Sequence, residues 1–247
     1  MMKKLIIFDL DNTLFKSKES YKYILADVIS ETWGIAEDIS VKAFDDTEIE
    51  MSNFKGYDNI KEFYKEFNIK FLNKLLGSVE TKKAEEFDGI LKEMKSLVPV
   101  KLKTYPLVKE TLTELKGQGY SLAILTGTWE KKIRSFNDPE YAKEKREMLE
   151  KLLDNSRLSD IIDKLFISYE YATVKPDPKS FQIVLDHFGV IPKDAIMIGD
   201  KEADILASKL GISSILFDPK NKYSGKTIPN HIIKDFSELQ DVLESYS

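Results

Sequence analysis

The chain has 247 residues, of which 42% are hydrophobic and 32% are charged, and its formal net charge is −5. This composition predicts one large or two modest soluble domains, and the negative charge argues against nucleic acid or an anionic membrane as the main partner. The absence of cysteine excludes disulfides, thiolate metal sites and a cysteine nucleophile. The apolar run after Lys3 and Lys4 is too short for a signal peptide, and no stretch approaches a membrane span of about 20 residues, so we expect a cytoplasmic protein.

The first predicted element is a buried strand that ends in two carboxylates. Residues Leu5 to Phe8 form an unbroken apolar run, which is typical of a strand covered on both faces in a parallel sheet. Asp9 and Asp11 follow, and residues two apart in an extended segment point to the same side. Neighbouring anions persist only when a cation or a shared proton offsets their repulsion. The stretch therefore indicates a metal and phosphate site, although Asp-Asn-Thr is also ordinary turn and helix-cap chemistry.

Residues 16–98 show only helical periodicity. Apolar side chains recur at three- and four-residue steps in four segments, which are 21–33, 39–44, 60–76 and 87–97, and Pro99 is expected to end the last helix. We interpret 16–98 as a helical cap domain inserted into an α/β core domain formed by residues 1–15 and 99–247. Residues 51–57 break the pattern and form a candidate substrate loop, in which Lys55, beside Gly56, either pairs with an anionic substrate tail or is simply solvated.

From residue 106 onward, strand and helix patterns alternate as in βαβ units. The predicted strands lie at 120–125, 165–168, 195–198, 212–217 and 231–233, separated by helices. Residues 129–155 are helical and charged, with a break near 137–139 where Asp138 and Pro139 suit a helix cap and a first turn. No repeat or low-complexity tract occurs, so a parallel sheet covered by helices is the predicted architecture of this part.

Polar side chains follow the ends of these predicted strands. Thr126 and Gly127 follow the second strand, Lys175 follows the third, and Asp200 and Asp204 follow the fourth. Because parallel strands share a direction, we expect these residues and the first acid pair to lie along one edge of the sheet. Carboxylate oxygens suit Mg²⁺, while a hydroxyl, backbone N–H groups and an ammonium can hold phosphate oxygens. The pattern therefore favours phosphoryl transfer assisted by Mg²⁺.

Four motifs in this order resemble those of the haloacid dehalogenase superfamily, in its phosphatase branch with a helical cap. The motifs are Asp9-Leu10-Asp11-Asn12-Thr13, Leu125-Thr126-Gly127, Lys175-Pro176-Asp177-Pro178, and Gly199-Asp200 with Asp204. The resemblance covers nearly the whole chain. It implies an α/β fold with a Rossmann-like parallel-sheet core and an inserted all-helical cap domain.

The resemblance also implies roles for the acidic residues. Asp9 would be the nucleophile that becomes an aspartyl phosphate, and Asp11 would act as general acid and then general base. The metal would be held by Asp9, the backbone carbonyl of Asp11 and Asp200, with Asp204 in the outer shell. Thr13 would support the loop.

The phosphoryl group would be held by Thr126, the amide of Gly127 and Lys175. Two features depart from the family pattern. Gly127 stands where many relatives have asparagine, which removes a side-chain contact and leaves the amide. The extra charged helix around 135–150 lengthens the segment before Lys175, and we expect it at the rim of the site or at a subunit contact.

The implied activity is Mg²⁺-dependent hydrolysis of a small phosphorylated metabolite by a monomeric or homodimeric enzyme similar to phosphoglycolate phosphatase. Sugar-phosphate mutases place a histidine shortly after the first motif, and residues 16–98 contain none. Phosphonate hydrolases replace the second acid, whereas Asp11 is retained, and dehalogenases need neither that acid nor a metal. A phosphate-responsive signalling module or an idle binding protein is the alternative outside enzymes. The substrate itself is not encoded in a recognisable motif.

Overall fold

The computed structural model describes residues 5–52, 56–78, 81–127 and 133–246, and of residues 18–20 it describes the backbone alone. The chain divides into two compact units. The α/β unit comprises Met1–Lys16, Lys103–Thr128 and Ser156–Ser247, and the helical unit comprises Ser17–Leu102 and Trp129–Asn155.

The α/β unit is built on a parallel sheet. In the described residues its strands are β1 Leu5–Phe8, β2 Ser121–Thr126, β3 Lys164–Ile167, β4 Ala195–Gly199, β5 Ser213–Phe217 and β6 His231–Ile233. They lie in the order β3-β2-β1-β4-β5-β6, and every neighbouring pair is parallel. The strand order reverses beside β1, which is the doubly wound arrangement. The predicted α/β fold with a parallel sheet is confirmed.

Helices fill the rest of the described chain. They are α1 Ser17–Trp33, α2 Glu37–Ser52, α3 Ile60–Leu76, α4 Thr81–Lys101, α5 Val108–Gly117, α6 Pro139–Asn155, α7 Pro178–Phe188, α8 Glu202–Ile205 and α9 Leu239–Glu244. A 3₁₀ turn, Leu206–Leu210, continues α8. Within these described residues, no helix combines the length and the apolarity that crossing a membrane requires.

The core of the α/β unit forms where helices cover the sheet. Helix α7 contributes Phe181, Val184 and Leu185, all nearly inaccessible, to a cluster with strand residues such as Leu5 and Phe166. Full burial of such side chains stabilises the fold by about 1.5–3 kcal/mol each. The Asp177 side chain accepts a hydrogen bond from the Lys179 N–H at 2.9 Å and so caps the N-terminus of α7. This cap fixes the direction of the chain just after Lys175.

The helical unit packs around an aromatic core. Phe71 and Phe87 have ring centroids 5.5 Å apart, and Tyr57 meets Phe63 edge-on at 5.3 Å. The Asn59 side chain caps α3 by accepting from the Glu62 N–H at 3.0 Å. The aromatic stripe of 60–76 therefore serves packing between helices, as its helical spacing indicates.

Two helix boundaries differ from the sequence prediction. Helix α2 runs to Ser52 and does not stop near residue 44, because the Thr47 hydroxyl bonds back to the Ala43 carbonyl at 2.7 Å and is satisfied inside the helix. Helix α4 continues through Pro99, which we expected to end it. The Leu102 N–H reaches the Val98 carbonyl at 3.0 Å, so the proline removes one donor without ending the helix.

The division into units also differs from the predicted domain boundaries. The sequence placed residues 99–155 in the core domain, whereas 99–102 and 129–155 belong to the helical unit. Helix α6 packs along α4 and buries Leu149 and Leu152. Lys95 pairs with Glu144 at 2.9 Å, and the Asn155 side chain donates to the Pro99 carbonyl at 2.9 Å. The charged segment that lengthens the chain before Lys175 is thus part of the helical unit.

Candidate active site

Asp9 stands at the carboxyl end of the central strand. Strand β1 is paired on both sides, with Phe8 opposite Ile124 of β2 and opposite Ile198 of β4. The Asp9 N–H donates to the Ile198 carbonyl at 2.8 Å and prolongs this pairing by one residue. Asp9 is therefore fixed beside the reversal of strand order, where open α/β sheets bind their ligands.

A tight turn follows Asp9 and carries Asp11. Asn12 adopts a left-handed conformation with φ of 60°, which asparagine tolerates better than most residues. Its N–H donates to the Phe15 carbonyl at 2.7 Å, and the N–H groups of Leu14 and Phe15 both donate to the Leu10 carbonyl at 3.0 Å. Thr13 is fully buried in this turn. The turn therefore keeps Asp11 at the sheet edge that carries Asp9.

Lys175 joins two of the predicted acidic residues. Its Nζ atom lies 2.7 Å from Asp9 Oδ1 and 2.6 Å from Asp204 Oδ1, and all three side chains are nearly inaccessible. Burial acts to lower the pKa of Lys175, but the charges of Asp204 and Asp9 outweigh it and hold that pKa above its usual range. Lys175 is consequently a fixed positive charge beside Asp9.

Three carboxylates converge at this point. Asp9, Asp200 and Asp204 each offer an oxygen, and these oxygens lie within 4.8 Å of one another. Asp200 Oδ1 is buried and makes no hydrogen bond within the described part of the chain. Burial raises the pKa of Asp200 to about 7, with Lys201 opposing this effect. A buried carboxylate oxygen without a donor, beside two more carboxylates, fits the all-oxygen donor set of a hard divalent cation.

Glycine at position 199 is required by the close approach of Asp204. A Cβ atom at Gly199 would overlap the Asp204 carboxylate. The Lys201 N–H donates to Asp204 Oδ2 at 3.2 Å and holds the same side chain from the other side. The Gly199-Asp200 motif therefore places Asp200 at the end of β4 and makes room for Asp204.

The predicted phosphate-binding residues lie at the same edge of the sheet. Thr126 is the last residue of β2 and is almost fully buried, and Gly127 follows it with partial exposure. Since Phe8 is in register with Ile124, the chain leaves β2 beside the Asp9 turn. Thr126 and Gly127 thus occupy the edge that the sequence assigns them.

The predicted substrate loop of the helical unit is described in part. Lys55 lies outside the described residues. Gly56 has a φ of 101°, and a Cβ there would lie 2.8 Å from the Arg134 guanidinium. The Arg134 N–H donates to the Tyr57 carbonyl at 2.9 Å, so Gly56 adjoins a short bridge to residues 133–134. Sequence reasoning missed Arg134, whose exposed side chain gives no signal at the sequence level.

Sequence reasoning also missed Lys201. Its Nζ lies 3.5 Å from Asp200 Oδ1, so a second ammonium adjoins the acidic cluster. The available signal was its position directly after Asp200, at a strand end that already carried two acids. A lysine in a turn is so often solvated that this position alone does not single it out.

A doubly wound parallel sheet with an acid cluster and a buried lysine at its carboxyl edge defines a Rossmann-like hydrolase core. A family model described as haloacid dehalogenase-like hydrolase matches residues 3–210. This match covers most of the chain, and the chain belongs to that family. The resemblance drawn from the four motifs is thereby confirmed.

Curated relatives carry names of two chemistries. (S)-2-haloacid dehalogenase 4A of Burkholderia cepacia is 29% identical over 145 residues, covering 58% of this chain and 56% of the relative. Glyceraldehyde 3-phosphate phosphatase of Pyrococcus furiosus is 29% identical over 155 residues, covering 58% and 55%. Phosphoglycolate phosphatase of Aquifex aeolicus is 27% identical over 208 residues, covering 83% and 80%. The chain spans about half the length of the first two relatives that it matches.

Solved structures agree on the fold. A HAD-hydrolase of Bacillus subtilis bound to magnesium superposes with a TM-score of 0.71 at 17% identity, covering 98% of this chain and 99% of that one. At this identity, the likeness establishes the fold alone.

Proposed function

We propose that this protein is a Mg²⁺-dependent phosphatase that hydrolyses a small phosphomonoester through an aspartyl-phosphate intermediate. One observation carries the proposal: the Lys175 ammonium lies 2.7 Å from Asp9, whose carboxylate also joins Asp200 and Asp204 in a cluster that fits a divalent cation. A nucleophile, a fixed positive charge and a set of hard oxygen donors then lie at one strand edge. These are the groups that phosphoryl transfer requires.

The cation would be held by Asp9, Asp200 and the backbone carbonyl of Asp11. When bound, Mg²⁺ supplies positive charge that offsets the negative charge of the phosphoryl oxygens and of Asp9. Asp204 acts outside the coordination sphere, since its Oδ1 is already paired with Lys175 at 2.6 Å. Its role is to hold Lys175 and the start of α8 in position.

Hydrolysis then proceeds in two steps on the residues of this chain. The free Asp9 oxygen attacks phosphorus, a bond forms between them, and the bond from phosphorus to the leaving alcohol breaks as Asp11 gives that oxygen a proton. Asp11 next takes a proton from water, which attacks the same phosphorus and releases phosphate from Asp9. Lys175, the Thr126 hydroxyl and the Gly127 amide stabilise the negative charge on the phosphoryl oxygens throughout.

The substrate class is a small phosphorylated metabolite. Two relatives named as phosphatases, for phosphoglycolate and for glyceraldehyde 3-phosphate, support this class. The relative named as a haloacid dehalogenase supports a second candidate, displacement of halide from a 2-haloacid. Asp11 favours the phosphatase, because an alkoxide leaving group needs a proton and a halide does not. A sugar-phosphate mutase, a phosphonate hydrolase and a signalling or binding protein remain outcomes that the assay distinguishes.

The decisive experiment measures two products with one preparation of the purified protein. Phosphate release is followed from an aryl phosphate and from a panel of phosphorylated metabolites, each with Mg²⁺ and with a chelator. Halide release is followed from 2-chloropropionate under the same conditions. We expect phosphate release that requires Mg²⁺ and no halide release. Halide release without phosphate release identifies a dehalogenase, and neither product supports a binding protein.

A further inference from the structure

Lys201 lies between the acidic cluster and the solvent. It follows Asp200 at the carboxyl end of β4, and its Nζ lies 3.5 Å from the buried Asp200 Oδ1. The Lys201 side chain is 49% exposed, whereas the Asp200 side chain is 18% exposed. Its ammonium is therefore close enough to act on the cluster and open enough to meet an incoming ligand.

The cluster has an excess of negative charge that Lys201 partly offsets. Lys175 balances one of the four aspartates at this edge, and Lys201 balances a second. Partial burial acts to lower the pKa of Lys201, but Asp9, Asp200 and Asp11 outweigh it and raise that pKa. The ammonium thus interacts electrostatically with three of the residues assigned to metal binding and catalysis.

A positive charge at this place acts oppositely on the two ligands of the site. It repels a divalent cation that shares Asp200, and it attracts the phosphate dianion that binds next to that cation. With a divalent cation bound, Lys175 and Lys201 together make the site neutral toward its four aspartates. Without Lys201, the loaded site would keep one negative charge and would repel phosphate.

We propose that Lys201 is a positioning residue that sets the balance between cation and anion affinity, weakening the binding of the metal at Asp200 and strengthening the binding of the phosphoryl group. This inference rests on the proposed phosphatase function and adds to it the feature that selects a dianionic ligand. It distinguishes Lys201 from a solvated lysine whose backbone alone matters. The Lys201 N–H, which donates to Asp204, is retained in every side-chain variant.

The test compares Lys201→Met with Lys201→Arg and with Lys209→Met. Lys209 is an exposed lysine four residues before β5, and a parallel strand begins at the opposite edge of the sheet, so Lys209→Met removes the same charge away from the site. Mg²⁺ binding is measured by calorimetry on chelator-treated protein. Binding of inorganic phosphate is measured by equilibrium dialysis at saturating Mg²⁺, so that a changed metal affinity does not enter the result.

We expect Lys201→Met to tighten Mg²⁺ binding and to weaken phosphate binding, each by roughly three- to tenfold, as for a partly screened charge. Lys201→Arg should stay near the wild-type protein in both, and Lys209→Met should change neither. Weakening of both ligands, or no change in either, would overturn the proposal, since a purely structural role cannot shift the two affinities in opposite directions.

The same measurements separate this inference from the proposed function. Opposite shifts in a protein that releases no phosphate from any ester would leave the role of Lys201 standing and refute the phosphatase. A wild-type protein that binds neither Mg²⁺ nor phosphate refutes both.

Discussion

Lys175 and Asp9 are 166 residues apart in sequence, yet Nζ of the lysine lies 2.7 Å from Oδ1 of the aspartate in a nearly inaccessible position. The contact occupies one carboxylate oxygen of Asp9 and leaves the other for chemistry. It also holds the turn after β1 against the segment that follows β3. The ion pair therefore connects the geometry of the candidate site to the stability of the α/β unit.

Asp9→Asn should reduce kcat for phosphate release by at least about a thousandfold, because an amide oxygen is a poor nucleophile toward phosphorus. The fold should survive, since asparagine keeps the size of the side chain and the backbone bond to Ile198. Steady-state kinetics and thermal melting check both statements. Asp160→Asn, at an exposed position, is the matched control and should retain full activity. Turnover by Asp9→Asn at the wild-type rate would falsify the nucleophile assignment.

Lys175→Met should destabilise the metal-free protein by about 3 kcal/mol at pH 7, because it leaves Asp9 and Asp204 as buried carboxylates without their cation. Urea unfolding measures the loss. Added Mg²⁺ should recover part of it, since the cation partly replaces the lost charge. Lys179→Met, an exposed change at the start of α7, should unfold like the wild-type protein. Equal stability of the two variants would contradict a structural role for the ion pair.

Gly199→Ala should lower both stability and activity, because the added methyl group overlaps the Asp204 carboxylate and forces it away from Lys175. The expected loss is about 1–3 kcal/mol in the free energy of unfolding, as for other overpacked sites. Gly117→Ala is the matched control, since a Cβ at Gly117 meets nothing within 4 Å. That variant should be neutral or slightly more stable by urea unfolding. Similar behaviour of the two variants would argue against the close approach of Asp204.

Glu50→Gln should reduce the stability of the helical unit at neutral pH and not at strongly acidic pH. Glu50 pairs with Lys70 at 2.5 Å and with Lys74 at 2.7 Å, which connects α2 to α3. The hydrogen bonds from Lys70 and Lys74 lower the pKa of Glu50 from 4.5 to about 2. A lowered folded-state pKa gives stability that is present above the unfolded value and is lost as pH falls toward the folded value.

The difference in melting temperature between wild type and Glu50→Gln should therefore be constant above pH 5 and should shrink between about pH 4.5 and 2. Glu85→Gln, an exposed change on α4 of the same unit, serves as control and should follow the wild-type curve. A difference that grows on acidification has the wrong sign and would rule out this linkage.

Local sequence features predicted the elements that carry the site. The apolar run of β1, the Asp177 cap of α7 and the aromatic spacing of α3 are short-range signals, and each corresponds to an element of the structure. The predicted convergence of Asp9 with Lys175 follows from strand direction in a parallel sheet. The boundary of α2 was missed because a satisfied threonine inside a helix looks like a polar break.

The contacts between distant segments were decided by the tertiary structure. The sequence alone determined which residues form strands and helices and in what order the acids, the threonine and the lysine arrive, because periodicity and capping act over a few residues. Only packing placed α6 against α4, brought Asp204 over Gly199 and set Lys201 beside Asp200. Such contacts depend on the shapes and charges of surfaces that meet after folding, and no local pattern along the chain specifies them.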